Sequence, residues 1–268
     1  MPVYFYIKKF VMIVTEREVA TLSKLTIKPT GDCALCVTFP GEISVENNLK
    51  VRTLQLALEE ENLTGVVELV PAYCSLMIHY DPLKISYDEL EQAVHRLAEQ
   101  SGKSQVPAGT VMQIPVLYGD EWGPDLEEVA QLEEITPEEV IARHSSQVGF
   151  IYMIAFTPGL PYIGSTEKTF SVPRRSSPRE KLPAGSVTIW ESQTTVFPVE
   201  QPGGWNVIGR TPLKLFDKDN AESPFLLKAG NWIEFIPIDR QTYDTIEKQV
   251  QSGTYKPVVY EKENCNGN

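Results

Sequence analysis

The chain has 268 residues, of which 42% are hydrophobic and 22% are charged, as is usual for a globular protein with one large or two medium domains. Its 36 acidic residues outnumber its 24 basic ones, giving a formal net charge of −12. This excess disfavours a nucleic-acid-binding role, because such proteins carry a strongly basic face.

Cysteine usage favours a cytoplasmic protein. Four cysteines are too few for the disulfide framework of a secreted protein of this length. Cys33 and Cys36 form a CxxC pair, but no second pair completes a zinc site, and the surrounding residues are typical of a strand rather than of a redox-active helix. We therefore expect two ordinary buried thiols.

The apolar opening, residues 2–14, is interrupted by two lysines and is too short to cross a bilayer. Met1 and Met12 are alternative starts, and the second would leave residues 1–11 as an extension. The rest of the sequence contains no other candidate for a membrane span, so we expect no membrane association.

The pattern of residues 1–100 predicts a small α+β domain in which a sheet and helices pack in layers. Ser86 and Glu89 have the spacing of a capping box, in which each residue satisfies a backbone N–H of the other. The predicted elements are two strands within residues 24–40, a helix from Ser44 to about residue 62 with Leu56 on its apolar face, strands at 66–70 and 75–80, and a helix that begins at Ser86.

A small and polar run at residues 101–109 is the predicted linker between two domains, since few of its side chains can pack. The second domain then occupies residues 110–260, and residues 261–268 form a frayed tail. Thr136 and Pro137 mark a helix start, as N-cap and first helical residue. The other elements predicted here are a strand at 111–118, acidic helices between 125 and 144, and a helix at 239–250.

Residues 148–215 alternate short apolar runs with proline and glycine breaks. Such closely spaced strands are typical of a β-barrel or sandwich. The breaks place Pro and Gly together where the backbone turns sharply. The apolar runs are at residues 150–156, 186–190, 194–199 and 205–208.

The same stretch is basic within an acidic chain. Residues 170–214 contain six basic residues and only three acidic ones. Rigid loops that carry arginines above a sheet commonly bind a small anion, because the planar guanidinium fits a carboxylate or phosphate. The alternative is that these arginines pair with the acidic surface. The density of cations favours the anion site.

Specific motifs in this stretch resemble the family formed by the B subunits of 5-oxoprolinase, also called allophanate hydrolase subunit 1, which includes the Bacillus sporulation-kinase inhibitor. The order and spacing of the motifs carry the resemblance through most of the C-terminal half. They are Gly149-Phe150 and the segments at residues 156–162 (FTPGLPY), 173–175 (PRR), 178–179 (PR), 183–187 (PAGSV), 201–205 (QPGGW) and 208–212 (IGRTP).

The resemblance implies an α+β N-terminal domain followed by a mainly β, cyclophilin-like barrel domain. It also implies the B subunit of a heteromeric, ATP-dependent 5-oxoprolinase, which opens 5-oxoproline to glutamate together with the C and A subunits and shares ATP with them. The alternative function is inhibition of autophosphorylation of a sporulation sensor histidine kinase. Common phosphate-binding loops and the GxSxG nucleophile elbow are missing from the sequence, as expected of an incomplete enzyme.

His144 and Arg210 are the candidate catalytic residues. His144 lies just before the motif-rich stretch and titrates where acid–base catalysis needs it, although a cationic histidine there would also complement a helix C-terminus. Tyr162, Trp190 and Trp205 are candidates for an apolar wall around a ligand, with core packing as the alternative. We predict no metal site. The candidate substrate-binding residues are Pro158, Gly159, Tyr162, Arg174, Arg175, Arg179, Gly185, Gln201, Gly204 and Trp205.

Overall fold

The computed structural model describes residues 25–101, 109–164 and 169–262. By its internal contacts the chain divides into two compact units, Met1–Val106 and Pro107–Asn268. The predicted linker at 101–109 and the predicted tail at 261–268 lie mostly outside the described residues. None of the helices within the described ranges is long and apolar enough to span a membrane.

Within its described residues, the first unit is an antiparallel sheet with two helices, as the order of strand and helix patterns predicts. The strands of this sheet lie in the order β1-β2-β4-β3. The elements are β1 (Thr26–Pro29), β2 (Ala34–Thr38), α1 (Val45–Glu61), β3 (Val66–Pro71), β4 (Ser75–Tyr80) and α2 (Tyr87–Ser101).

Local capping sets the helix ends where the sequence predicts them. The Ser44 hydroxyl accepts a hydrogen bond from the N–H of Asn47 over 3.1 Å, and α1 ends at Asn62 in the left-handed conformation. The N–H of Ser86 donates to a carboxylate oxygen of Glu89 over 2.9 Å, and the N–H of Glu89 donates to the Ser86 hydroxyl over 3.3 Å. These bonds satisfy N–H groups that a first helical turn leaves unpaired.

One apolar core joins the sheet to the helices of the first unit. Alternate residues of β2 and β4 and one stripe of each helix are buried in it. Leu56, expected on the buried face of α1, is instead 39% exposed, because it lies about 200° around the helix from the buried Leu54. The core includes Leu35, Val37, Val51, Leu54, Leu58, Leu76, Ile78, Leu90, Val94 and Leu97.

The CxxC pair lies at the start of β2. Cys33 is in the turn before the strand and is exposed, so the expectation of two buried thiols is wrong for this residue. Cys36 is on the strand and partly buried, with its sulfur 3.9 Å from the Thr38 hydroxyl. Both are free thiols.

The second unit is mainly β, with three helices in the part of it that the structure describes. Its strands and helices fall close to the predicted positions. They are β5 (Thr110–Tyr118), α3 (Leu126–Leu132), α4 (Pro137–Ser145), β6 (Val148–Ile154), β7 (Pro161–Gly164), β8 (Arg179–Leu182), β9 (Ser186–Trp190), β10 (Gln193–Val196), β11 (Gln201–Gly203), β12 (Asn206–Arg210), β13 (Trp232–Pro237), α5 (Arg240–Gln251) and β14 (Val259–Glu261).

Seven of these strands close into a barrel. Their order is β12-β9-β10-β7-β6-β13-β5, and β5 pairs back onto β12 to complete the circle. All neighbours are antiparallel except β13 and β5, which run parallel. β14 adds to the edge of β5, so Glu261 is paired in a strand, and the prediction of a frayed tail is wrong for this first residue.

Apolar side chains fill the barrel, and helices α3 and α4 pack against it. Because alternate residues of each strand point into the barrel, their neighbours in sequence lie on its outer face. There a two-stranded sheet of β8 and β11 covers part of the barrel, and Leu182 of this sheet packs with Phe197 and Val207 in a separate small cluster. The interior includes Ile114, Val116, Ile151, Ile163, Val187, Ile189, Val196, Ile208, Ile233 and Phe235.

Candidate functional site

Neighbouring barrel strands present a continuous outer surface in the motif-rich region. The register places Thr188 of β9 between Thr195 of β10 and Val207 of β12. Ile189 and Ile208, next in sequence, belong to the barrel core, so these three side chains point outward. The same alternation puts an aromatic residue outward on β7, β9 and just before β12. We define the outer wall as Tyr162, Thr188, Trp190, Trp205 and Val207.

Aromatic rings and one arginine meet on the outer wall. The ring centroid of Trp205 lies 6.1 Å from that of Tyr162 and 5.4 Å from that of Trp190. The guanidinium carbon of Arg174 is 4.7 Å from the Trp190 ring centroid, which is a cation–π geometry. Burial raises the pKa of Tyr162, while the positive charge of Arg174 acts in the opposite direction.

Arg174 keeps its guanidinium available to a ligand. Its side chain is exposed, and no carboxylate in the described part of the chain forms an ion pair with it. A cation that is oriented by an aromatic ring, with no counter-ion of its own, is suited to binding a small carboxylate. The predicted grouping of Tyr162, Trp190 and Trp205 is present, and Arg174 joins it.

Arg175 and Arg179 are instead held by a buried carboxylate. Asp125 is 2% exposed and accepts two hydrogen bonds from Arg179 and one from Arg175, each over 2.7 Å. The N–H of Val207 donates to the same carboxylate over 2.7 Å, and Arg175 also pairs with Glu128 over 2.8 Å. For these two arginines the alternative interpretation, pairing within the protein, describes the structure.

Asp125 therefore holds the two-stranded sheet of β8 and β11 against the barrel. It lies just before α3, while Arg179 begins β8, so the ion pair joins positions 54 residues apart. The sequence analysis missed this aspartate. A single acidic residue among many before an acidic helix carries no local signal of burial.

Arg210 lies at the other end of β12 from Trp205. The two residues are five positions apart, about 16 Å along an extended strand, which is too far for both to contact one small ligand. The Nε–H of Arg210 donates to the carbonyl of Ala184 over 3.0 Å, and its guanidinium carbon is 5.3 Å from the ring centroid of Trp122. The guanidinium of Arg240 also contacts that ring, at 4.8 Å. The candidate cations thus form two separate groups.

The predicted turn residues shape loops at different places on the barrel. Pro158 and Gly159 lie in the connection between β6 and β7, where Gly159 has a φ of +85° and packs closely on Phe216. Gly185 has a φ of +82°, and its carbonyl accepts a hydrogen bond from the N–H of Thr211 over 2.9 Å. These three residues support backbone turns.

Gln201 and Gly204 lie closer to the outer wall. Gln201 opens β11 opposite Leu182 and is 8% exposed. The carbonyl of Gly204 accepts a hydrogen bond from the N–H of Arg175 over 2.9 Å. This bond fixes the segment that carries Arg174 beside the turn that carries Trp205.

His144 is buried away from these cations. Its two ring nitrogens hydrogen-bond with the hydroxyls of Tyr118 and Thr194 over 2.8 and 3.1 Å, and its ring packs against Phe235. Burial lowers its pKa from 6.5 to about 3. The imidazole is neutral at pH 7, so the expected cation at the helix C-terminus is absent. The geometry favours a structural role over acid–base chemistry.

Metal coordination receives no support from the side chains. Within the described ranges, no group of three or more His, Cys, Asp or Glu residues is arranged to hold an ion. The outer wall presents the phenol of Tyr162 and the rings of Trp190 and Trp205 beside the guanidinium of Arg174, groups that are suited to binding a small anionic ligand.

The chain is similar to known proteins over most of its length. Residues 25–227 match the family described as carboxyltransferase domain, subdomain C and D. The B subunit of the 5-oxoprolinase of Bacillus subtilis (strain 168) is 38% identical over 235 residues, which cover 83% of this chain and 97% of that protein.

Two solved structures show the same fold within longer chains. The crystal structure of TTHA0988 has a TM-score of 0.67 and 32% identity, with 77% of this chain and 40% of that chain covered. The urea amidolyase of K. lactis has a TM-score of 0.74 at 18% identity, with 89% of this chain and 16% of that chain covered. The second likeness concerns the fold alone.

Proposed function

The chain belongs to the family of 5-oxoprolinase B subunits, and we propose that it acts as the B subunit of an ATP-dependent 5-oxoprolinase that opens 5-oxoproline to glutamate. The observation that carries this proposal is the unpaired guanidinium of Arg174 beside the rings of Trp190 and Trp205. 5-Oxoproline is a small ring with one carboxylate. An aromatic wall next to a single free cation matches both parts of it.

The reaction needs more than this chain supplies. Hydrolysis of an unactivated lactam is unfavourable, so coupling to ATP is reasonable, and a phosphorylated intermediate requires cations around its oxygens. We assign ATP binding to sites shared with the C and A subunits, because the sequence has none of the common phosphate cradles. ATP use also fits the cytoplasmic location expected from the cysteine content.

Arg174 and Arg210 take different roles in this proposal. Arg174 binds the substrate carboxylate, with Tyr162, Trp205 and Gln201 around it. Arg210 lies about 16 Å along β12 and would stabilise a separate anion, such as a phosphoryl group delivered with a partner protein.

The proposal that this chain works with partner proteins is supported by the occurrence of the same fold inside longer chains. The chain matches only 40% of TTHA0988 and 16% of the K. lactis urea amidolyase, so in both proteins further polypeptide accompanies the fold. We further propose that the closed barrel is of the cyclophilin-like type that the family resemblance implies.

The proposal is tested by affinity purification of the tagged chain from its own cells, followed by mass spectrometry and reconstitution. We expect a stoichiometric partner that resembles the C subunit of 5-oxoprolinase, and ATP-dependent release of glutamate from 5-oxoproline that stops when this chain is omitted. Recovery of a sensor histidine kinase without such a partner would contradict the proposal and favour the kinase-inhibitor alternative.

A further inference from the structure

Two buried polar side chains, one on the outer wall and one on β11, lack hydrogen-bond partners among the described residues. Gln201 is 8% exposed, and neither its Oε1 nor its Nε2 is hydrogen-bonded within the described residues. Thr188 is fully buried, and its Oγ1 is likewise unpaired there. Buried polar atoms are nearly always satisfied, so three such atoms point to a binding partner that occupies this place.

Strand register and packing place these two side chains on the facing sides of the two-stranded sheet of β8 and β11 and of the outer wall. Gln201 is the register partner of Leu182, so both side chains lie on the same face of that two-stranded sheet. Leu182 packs onto Val207 of the outer wall, and Val207 is the register partner of Thr188. The Gln201 amide and the Thr188 hydroxyl therefore both lie next to the contact between Leu182 and Val207.

Thr188 adjoins the aromatic part of the outer wall. Thr188 and Trp190 are two residues apart on one face of β9, which is about 7 Å along the strand. Arg174 lies over the Trp190 ring. A molecule that spans from the guanidinium to Thr188 needs an anionic group at one end and hydrogen-bonding groups at the other.

The carboxamide of Gln201 has a specific complement. It presents an N–H and a carbonyl side by side, and a lactam, which is a cis-amide, presents the matching carbonyl and N–H on one edge. The Thr188 hydroxyl can donate a further hydrogen bond to a lactam carbonyl. A ligand without this edge leaves the site atoms unpaired, which a buried site discriminates against.

We propose that Gln201 and Thr188 bind the lactam edge of the substrate while Arg174 binds its carboxylate. The site would therefore select cyclic cis-amides that carry a carboxylate. This inference rests on the proposed function. It adds a residue-level account of substrate choice.

The test is calorimetric titration of the purified complex, without ATP, against three probes. These are 5-oxoproline, 2-pyrrolidinone, which keeps the lactam, and cyclopentanecarboxylate, which keeps the carboxylate. The variants are Gln201→Met and Thr188→Val, both close in volume to the native residue, with circular dichroism as the check on folding. We expect each to weaken binding of 5-oxoproline and 2-pyrrolidinone about tenfold or more and to leave cyclopentanecarboxylate binding unchanged.

The inference is overturned if both folded variants bind 5-oxoproline within about twofold of the unchanged complex. In that case, if the unchanged complex still releases glutamate with ATP, the proposed function stands and only the lactam assignment is wrong. An unchanged complex that neither binds 5-oxoproline nor releases glutamate would remove both.

Discussion

Replacing Asp125 with asparagine tests how the two-stranded sheet of β8 and β11 is held against the barrel. The aspartate is 2% exposed and receives three hydrogen bonds from two guanidinium groups and one from the N–H of Val207. Asparagine keeps the shape, but its NH₂ group must face one of these donors. Among the described residues Arg179 then loses its counter-charge, and Arg175 keeps only its ion pair with Glu128.

The expected loss of stability is about 3 kcal/mol. Breaking a buried ion pair by removing one partner costs about 3–5 kcal/mol. The lower part of this range applies because the side chains of Arg175 and Arg179 are 24% and 30% exposed, so water can partly solvate their charges. For a unit of this size the loss corresponds to a fall in Tm of about 6–12 °C.

Urea denaturation followed by tryptophan fluorescence measures this loss in the relevant unit. All four tryptophans lie beyond residue 120, so the signal reports the barrel unit alone. The matched control is Asp219→Asn, since the Asp219 side chain is 76% exposed and pairs only with Lys218 at 3.9 Å among the described residues. A loss below about 1 kcal/mol for Asp125→Asn, equal to that of the control, would refute the reasoning.

Three further predictions concern single side chains. Because burial lowers the pKa of His144 from 6.5 to about 3, the unfolded chain takes up its proton first, and stability falls as pH drops below 6.5. The free energy of unfolding therefore falls between pH 7 and pH 5, and we expect His144→Gln to remove about 2 kcal/mol of that fall. Urea denaturation at both pH values measures it. An unchanged pH dependence would contradict the burial argument. Thr188→Val should raise the free energy of unfolding by about 1 kcal/mol, since it removes a buried hydroxyl that is unpaired among the described residues. Thermal unfolding of the unliganded chain measures this, and a lower Tm for the variant would contradict the prediction. Arg210→Ala should abolish glutamate release by the reconstituted complex while the circular dichroism spectrum stays unchanged; full activity would remove Arg210 from the catalytic residues.

Local signals predicted the elements of the fold well. The helix that follows Ser44 and the capping pair of Ser86 and Glu89 depend on residues within four positions of each other, so the sequence contains the whole interaction. The parallel pairing of β13 with β5 joins residues about 120 positions apart, such as Trp232 and Val111. No local pattern encodes that pairing, and the barrel closure depends on it.

The candidate site was only partly predicted, because its contacts also join residues that are far apart in the sequence. Arg174 and Arg175 are adjacent and alike in sequence, yet the first lies over Trp190 while the second is paired with Asp125. Their different surroundings follow from the chain folding over the barrel, which composition and spacing do not reveal. Burial of His144 is similarly a tertiary property, so its neutral state was not predictable.

The most direct test of the account is the KM for 5-oxoproline of the reconstituted complex with Arg174→Gln in this chain. Lys181→Gln is the matched control, because Lys181 lies in the same basic stretch but is 78% exposed and paired with Glu200. If Arg174 binds the substrate carboxylate, its replacement raises KM about tenfold or more, and the control leaves KM unchanged. A KM for Arg174→Gln within about twofold of the unchanged complex would contradict the claim that the outer wall is the substrate site.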